Sequence, residues 1–285
     1  MALWKTSVDG VHRFARGPVG GGPEELLPVS VDLDEILSHP AGRLEDILAG
    51  PTDEAVPTGA EVLAPMGGQE VWAAGVTYRR SRDARMHEST DPDHYDRVYV
   101  ADRPELFFKA SAARVRGPGQ LIGIRADSTW DVPEAELGVV ANAAGEAVGY
   151  LIGNDVSSRS IEGDNPLYLP QAKSYTGSCA VGPCIVPPGE APALNAMTIV
   201  LEIQRAGAAI YVDRVSISDM HRHPDELLNW LFRALSFPVG VILLTGTALI
   251  PPPEFTLQPE DITTITIAGL GSLSNVVERV GRSSG

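Results

Sequence analysis

The chain has 285 residues, of which 44% are hydrophobic and 21% are charged, and its formal net charge is −15. The apolar content excludes a disordered chain, and the length suffices for one large domain or for a main domain with a smaller one. The acidic balance argues against nucleic acid, because phosphate binding needs a basic surface, but it stays compatible with a small anionic substrate bound beside a divalent cation.

The first 65 residues are predicted to form a small N-terminal domain, 1–65. They contain two short helical patterns, at residues 32–37 and 43–49. Turn-forming residues then mark the exit and a candidate linker: Pro51, Pro57, Pro65, Gly67 and Gly68. The remainder, residues 70–285, is predicted to be a second and larger domain.

The larger domain has a strand-rich pattern. Predicted strands occupy residues 70–76, 104–110, 134–141, 147–155, 196–205, 210–216, 240–245 and 261–267. A charged segment of helical composition covers residues 79–88, and a clear amphipathic helix is predicted for 224–235, where Pro224 suits the first helical position. Many short strands with few helices predict a β-rich α+β fold.

The cellular location is predicted from what the chain lacks. The first residues have no apolar core of a signal peptide, and the apolar stretch 237–250 is interrupted by Thr245, Gly246 and Thr247, so we expect no membrane association. Cys179 and Cys184 are too few for a disulfide framework or a four-thiolate site. A cytoplasmic protein with reduced cysteines is therefore expected.

Three carboxylates are expected to meet on one β-hairpin. Residues 134–141 and 147–155 are joined by a glycine-containing turn, so Glu134 and Glu136 project from the same face and Asp155 falls opposite Glu134 within one residue of register. Three carboxylates so close repel one another unless a cation neutralises them, and oxygen ligands favour Mg²⁺, Mn²⁺ or Ca²⁺. The alternative is that both glutamates line a solvated strand face and that Asp155 begins a loop.

Other charged or hydroxylic residues are candidates for the same site. Lys173 is a surface charge on its own, but beside a carboxylate cluster it becomes a candidate for proton transfer. Arg159, four residues after Asp155, either forms a helical ion pair or grips a substrate carboxylate, and Glu162 can join it. Thr247 ends an apolar strand and either closes a turn or presents donors to an anion.

The histidines are weaker candidates. The segment His221-Arg222-His223 precedes a predicted helix and lacks a third ligand nearby, so we do not expect it to bind metal. His87 and His94 lie in the charged segment after Tyr78, where a surface or lid position is the default. That segment, residues 79–96, is a candidate lid over a substrate.

Several separated segments together resemble the fumarylacetoacetate hydrolase superfamily. The match covers roughly residues 70–280, and the order and spacing of the segments carry it. They are AAGVTY (73–78), PELFFKA (104–110), EAELGVV (134–140), GNDVSSR (153–159), QAKSY (171–175), VGP (181–183), LLTGT (243–247) and IAGLGSLSNVV (267–277). The stretch 153–175 most resembles the sugar-acid branch, which contains 2-keto-3-deoxy-pentonate dehydratases.

This resemblance implies a mixed β-roll behind a small N-terminal domain, assembled as a homodimer or homotetramer. It implies that Mg²⁺ binds to Glu134, Glu136 and Asp155. It carries a catalytic role onto Lys173 and substrate contacts onto Arg159 and Thr247. The implied reaction is dehydration of a 2-keto-3-deoxy sugar acid to a 2,5-dioxo acid, with Glu105 or Glu162 as the acid.

Two departures from the family pattern bear on the reaction. Hydrolases and decarboxylases of the family usually carry a water-activating His and Glu after the G-x-x-Y segment, where this chain has Ser81 and Ala84. Neither can act as that general base, so Ser81 is at most a substrate contact. The alternatives are a diketo-acid hydrolase or an oxaloacetate-type decarboxylase of the same family, and a metal-binding module without turnover.

Overall fold

A computed structural model of the chain describes residues 1–88 and 93–282. The side chains of residues 85, 87, 88 and 93–95 also lie outside this description. The predicted surface or lid positions of His87 and His94 therefore fall outside the described residues. The lid function of residues 79–96 stays a prediction.

Strands make up most of the regular structure. The strands are β1 (Ala2–Val8), β2 (Val11–Gly17), β3 (Glu25–Leu26), β4 (Glu54–Ala55), β5 (Glu61–Leu63), β6 (Glu70–Gly75), β7 (Glu105–Ala110), β8 (Val115–Arg116), β9 (Leu121–Arg125), β10 (Asp131–Val132), β11 (Ala135–Ala141), β12 (Ala147–Asp155), β13 (Ser157–Ser158), β14 (Cys179–Val186), β15 (Thr198–Arg205), β16 (Ala208–Ser216), β17 (Val241–Leu244), β18 (Ile262–Ile267) and β19 (Gly271–Val280).

The helices are short. They are α1 (Leu33–Leu37), α2 (Arg43–Ala49), α3 (Arg79–Glu88), α4 (Asp93–Val100), α5 (Arg159–Asp164), α6 (Leu169–Lys173) and α7 (Pro224–Leu231). Helix α7 begins with Pro224 as predicted, but it ends at Leu231 and not at Leu235. Arg233 N bonds to Trp230 O, which closes a tighter final turn, and Leu235 is exposed, so it adds nothing to the buried face.

Two packed sheets, together with a short two-stranded sheet of β10 and β13, build the described part of the molecule. The larger has the strand order β4-β3-β2-β1-β14-β12-β11-β17-β6-β7, with β5 and β8 attached to β1 and β14, and the smaller has the order β16-β15-β18-β19-β9. One buried apolar cluster joins the facing strands of the two sheets and includes Leu137, Ile152, Leu201 and Ile265. A second cluster packs the opposite face of the large sheet against α1 and α2.

The first 65 residues contribute strands to the large sheet. β1 and β2 form a hairpin with Val8 opposite Val11, and β1 also pairs with β14 through Leu3 and Ile185. The N-terminal strands thus continue the sheet that carries β11 and β12. The predicted domain boundary between residues 65 and 70 stays a prediction.

No helix within residues 1–88 and 93–282 is both long enough and apolar enough to cross a membrane. Cys179 and Cys184 are both buried on β14, and neither forms a disulfide.

Candidate active site and metal centre

The hairpin β11–β12 brings the three predicted carboxylates together. Glu136 lies opposite Gly153, Ala135 lies opposite Asn154, and Asp155 N donates to Glu134 O at 2.9 Å. Asp155 is therefore opposite Glu134, which confirms the predicted register. The alternating pleat then directs Glu134 and Glu136 to the same face of the sheet.

The carboxylate trio, Glu134, Glu136 and Asp155, is buried. One oxygen from each residue lies within 4.8 Å of the other two, and the three side chains are almost fully removed from solvent. Burial raises the pKa of Glu136 well above its ordinary value, and the negative charges of Asp155 and Glu134 raise it further. Three negative charges buried this close together repel one another, and positive charge nearby is needed to stabilise them.

Lys173, the last residue of α6, supplies part of that positive charge. Its Nζ lies 2.8 Å from Glu134 Oε1 and 3.0 Å from Asp155 Oδ2, and it donates to Ser157 Oγ at 2.6 Å. The same ammonium group lies 5.3 Å from the centre of the Phe107 ring. Lys173 is thus a buried cation held between two members of the trio, and its role in proton transfer stays a prediction.

Arg159 and Glu162 lie beside the trio on α5. Arg159 Nη2 is 3.1 Å from Glu134 Oε1, and Arg159 Nη1 is 3.2 Å from Glu162 Oε2. Both side chains are buried. Arg159 begins α5 whereas Asp155 ends β12, so the two residues do not share a helix. The guanidinium pairs with Glu162 on its own helix and with Glu134 of the trio, and its contact with a substrate carboxylate stays a prediction.

Lys109 is a buried cation that the sequence analysis missed. Its Nζ contacts Asp155 Oδ1 without hydrogen-bond geometry, and it donates to Val156 O at 2.9 Å and to Lys173 O at 2.6 Å. Phe108 and Ala110 pair with adjacent residues of β6, so Lys109 is the extra residue of a β-bulge. Bulges commonly redirect side chains next to active sites, and here the signal was a lysine inside a predicted apolar strand.

A small cavity of about 20 Å³ lies against this cluster. Its lining residues are Ala74, Gly75, Val76, Ser81, Glu105, Phe107, Glu134, Glu162, Lys173 and Thr247. A space of this size holds roughly one water molecule. We call the trio and Lys173 the carboxylate wall, of which Glu134 and Lys173 line the cavity. We call Ser81, on α3, and Glu105, which follows α4, the hairpin wall.

The residues of the hairpin wall are placed by local contacts. Ser81 Oγ donates to Tyr78 O at 2.7 Å, so this hydroxyl fixes the start of α3 while it also lines the cavity. Glu105 begins β7 opposite Gly75, and its carboxylate occupies the space where a Cβ atom on residue 75 would lie. Glycine at position 75 therefore leaves room for the Glu105 carboxylate.

Residues 245–247 close the remaining side. Gly246 has a φ of +91°, and its N–H donates to Glu136 Oε2 at 2.6 Å. A side chain at this position would collide with Thr77 Oγ1, which donates to Thr245 O at 2.7 Å. The turn thus orients one metal-ligand candidate with its backbone and places the Thr247 hydroxyl at the cavity.

The donor set fits a divalent cation. Glu136 Oε1 is buried, and among the described residues it has neither a hydrogen-bond donor nor an ion-pair partner. Lys173, Lys109 and Arg159 contact the other two carboxylates. A bound metal ion would therefore compensate chiefly the negative charge of Glu136. An all-oxygen set favours Mg²⁺, Mn²⁺ or Ca²⁺ over Zn²⁺.

All nine predicted site residues lie in this one region. Among the described residues, the trio is the only acidic, histidine or cysteine group whose ligand atoms converge, and His221 and His223 form no such group. Ser157 was missed together with Lys109. A serine two residues after Asp155 was the available signal, but the short strand β13 that directs it toward Lys173 forms only through contacts with β10.

The fold and the site together define a class of protein. Residues 70–278 match the family described as fumarylacetoacetate (FAA) hydrolase C-terminal. The chain belongs to this family, and the family and the β-rich α+β fold predicted from its sequence are confirmed.

Two relatives of known or probable activity are similar to this chain over most of its length. The chain is 51% identical over 216 residues to a probable 2-keto-3-deoxyxylonate dehydratase of Haloferax volcanii, which covers 76% of this chain and 74% of the relative. It is 40% identical over 222 residues to 2-dehydro-3-deoxy-D-arabinonate dehydratase of Saccharolobus solfataricus, with the same shares covered.

Solved structures agree with these relatives. A 2-keto-3-deoxy-D-arabinonate dehydratase complexed with magnesium and 2,5-dioxopentanoate superposes with a TM-score of 0.86 at 31% identity, over 99% of this chain and 100% of the other. A 2-hydroxyhepta-2,4-diene-1,7-dioate isomerase from Mycobacterium marinum, 23% identical with a TM-score of 0.70, shares the fold.

Proposed function

We propose that this chain is a metal-dependent hydro-lyase that dehydrates a 2-keto-3-deoxy sugar acid, a 2-dehydro-3-deoxy-pentonate, to a 2,5-dioxo acid in sugar-acid breakdown. The observation that carries the proposal is the position of Lys173 Nζ between Glu134 and Asp155, in a cavity that Glu105 and Glu162 also line. Groups for charge stabilisation and proton transfer thus share one cavity. The relatives named above support the substrate class.

Glu134, Glu136 and Asp155 are the residues that would hold the cofactor, Mg²⁺, with Mn²⁺ or Ca²⁺ as alternatives. When bound, the ion supplies positive charge that stabilises negative charge developing on the substrate oxygens at C1 and C2. Lys109 and the Gly246 N–H support this site by contacting Asp155 and Glu136. Such supporting contacts orient the ligands before any ion arrives.

Different side chains act as the base and as the acid in the proton transfers. Lys173, in its neutral amine form, accepts a proton from C3, and the C4–O bond breaks as a protonated Glu105 or Glu162 gives its proton to the departing hydroxyl, so that one water leaves. A proton shift from C5 to C3, followed by tautomerisation of the resulting enol, gives the aldehyde at C5. The product is the substrate minus one water, and the reaction needs no oxidant.

The remaining polar residues bind the substrate. Arg159 presents a guanidinium beside Glu134 for an anionic or polar group, and Thr247 and Ser81 present hydroxyls at the cavity. Dehydration also agrees with the absence of a histidine at Ser81 and of a carboxylate at Ala84, since it requires no activated water.

A homodimer or homotetramer and a cytoplasmic location belong to the same proposal. They rest on the family resemblance and, for the location, on the two unpaired cysteines, which a reducing compartment maintains. Mass measurement of the purified protein by light scattering distinguishes a monomer from either assembly.

An endpoint assay tests the reaction. The purified protein is incubated with 2-keto-3-deoxy-pentonate and Mg²⁺, and then with EDTA, and the products are identified by mass. The proposal predicts a 2,5-dioxo acid, lighter than the substrate by one water, whose formation EDTA abolishes. Absence of dehydration in the presence of Mg²⁺ contradicts it, and release of pyruvate or CO₂ from a diketo acid or oxaloacetate would favour the hydrolase or decarboxylase alternative.

A further inference from the structure

Residues 220–222 contact the chain immediately before α3. Met220 forms an antiparallel bridge with Tyr78, and His221 N donates to Thr77 O at 2.8 Å. These backbone contacts fix the point from which α3 departs at residue 79. We call residues 220–222 the clamp.

Arg222, the last residue of the clamp, holds the end of α4 and the chain immediately after it. Arg222 Nη1 donates to Asp102 O at 3.3 Å, while Nη2 donates to Val98 O at 3.3 Å and also contacts Ala101 O. The last carbonyl groups of a helix have no partner within it, and the guanidinium fork of Arg222 supplies their donors. Arg222 is 5% exposed, and its Nη1 also pairs with Glu226 Oε1 at 2.6 Å.

A ring contact adds a third connection. The His221 imidazole stacks on Tyr99 of α4, with ring centroids 4.5 Å apart and planes at 26°. The Arg82 guanidinium of α3 lies 4.9 Å from the centre of the same Tyr99 ring. Tyr99 therefore links the clamp to α4 and α4 to α3.

The clamp holds the two stretches of chain that carry the hairpin wall. Ser81 lies three residues after Tyr78, and Glu105 lies three residues after Asp102. Both residues line the catalytic cavity, whereas none of the clamp residues does. A shift at either anchoring point therefore reaches a cavity residue over three residues of chain.

We infer that Arg222 is a positioning residue for this enzyme, which sets the place of the Glu105 carboxylate without touching substrate. The inference rests on the proposed function as far as turnover is concerned. Its physical basis is that misplacing a reacting group by about 1 Å costs up to roughly 10²-fold in rate. The carboxylate wall has no contact with Arg222 among the described residues, so metal binding should not depend on it.

A matched arginine elsewhere in the chain provides the control. Arg16 Nη1 donates to Leu48 O at 2.8 Å and to Gly50 O at 3.0 Å, at the end of α2, and its Nε pairs with Glu25 Oε2 at 2.7 Å. It thus contacts helix-terminal carbonyl groups and a glutamate as Arg222 does, but it lies among the first 65 residues and does not line the cavity.

The test compares Arg222→Met with Arg16→Met. In Arg222→Met we expect kcat to fall roughly 10- to 10²-fold, with the dissociation constant for Mg²⁺, measured by calorimetry, within twofold of wild type. Hydrogen exchange of the backbone amides in residues 98–106 should become faster. Arg16→Met should keep the wild-type kcat and the wild-type exchange in residues 98–106, even if its melting temperature falls.

Several outcomes would overturn the inference. Wild-type kcat in folded Arg222→Met would do so, as would an equal loss of kcat in both variants or a loss of Mg²⁺ binding with kcat. If Arg222→Met does not fold, Arg222→Lys keeps the charge without the fork, and the same comparison applies. If the wild-type protein does not dehydrate the acid, the proposed function fails, and the exchange rates of residues 98–106 decide the inference alone.

Discussion

The carboxylate wall and the hairpin wall differ in what holds their side chains in place. Glu134, Glu136 and Asp155 stand on adjacent strands whose backbone ladder fixes their spacing, and the cations that contact them are buried with them. Ser81 near the start of α3 and Glu105 after the end of α4 are instead placed by residues far away in the sequence: Arg222 lies 120 residues from Asp102. One wall is built locally, and the other depends on a distant contact.

Because of this difference, substitutions in the two walls should have different effects. Changes to the three carboxylates of the carboxylate wall should affect metal binding, stability and turnover together, because these groups share one network of charge. Changes to the hairpin wall should affect turnover alone. Variants that alter one wall at a time therefore test whether the two walls are independent.

Replacing Lys173 should give the largest effect on rate. Lys173→Ala removes the proposed proton-transfer group, so kcat should fall by about 10²- to 10⁴-fold in a steady-state assay, while Mg²⁺ still binds. Gln171→Ala, an exposed position on the same helix, is the control and should retain the wild-type kcat. Retained turnover in Lys173→Ala would rule out the assigned role.

Replacing Lys109 should give a large effect on stability. Lys109→Met leaves Asp155 Oδ1 buried beside one cation fewer, so in EDTA the free energy of unfolding should fall by about 3–5 kcal/mol in urea titrations. Saturating Mg²⁺ should reduce this deficit, because the ion replaces part of the lost positive charge.

Lys5→Met serves as the comparison for Lys109→Met. Lys5 Nζ donates to Met66 O at 2.6 Å, in the N-terminal part of the chain. Its loss should cost about 1 kcal/mol, and Mg²⁺ should not change that cost. A deficit in Lys109→Met that Mg²⁺ leaves unchanged would separate Lys109 from the metal centre.

A smaller change tests the hairpin wall alone. In Gly75→Ala the new methyl group occupies the place of Glu105 Oε2, so the carboxylate must move while the flexible side chain absorbs most of the strain. We expect kcat to fall by roughly tenfold with Mg²⁺ affinity unchanged, from paired kinetic and calorimetric measurements. Gly189→Ala, where nothing lies near the added methyl, is the control. Unchanged kcat would indicate that Glu162, not Glu105, is the acid.

The sequence predicted the carboxylate wall because that wall follows from local rules. Strand alternation and the glycine turn, with Gly145 at a φ of +82°, place Asp155 opposite Glu134 to within one residue, and a register shift between Val140 and Ala141 sets the final pairing. The hairpin of β1 and β2 was equally local, since Asp9 and Gly10 adopt positive φ in a two-residue turn, but this signal was overlooked.

The hairpin wall could not be predicted in the same way. The role of Arg222 depends on contacts with α4 that no local pattern encodes, and the His221-Arg222-His223 segment was considered only as a metal pair. The short helices α5 and α6, which position Arg159 and Lys173, were also missed. Each has fewer than seven residues, too few to show a helical period.

Mg²⁺ titration by calorimetry determines whether the carboxylate trio is a metal centre. Wild type, Glu136→Gln and Glu146→Gln are compared, where Glu146 is an exposed glutamate beside the turn of the same β11–β12 hairpin. The account predicts one Mg²⁺ per chain in wild type and Glu146→Gln, and no measurable binding in Glu136→Gln. Equal Mg²⁺ binding in all three proteins would contradict it.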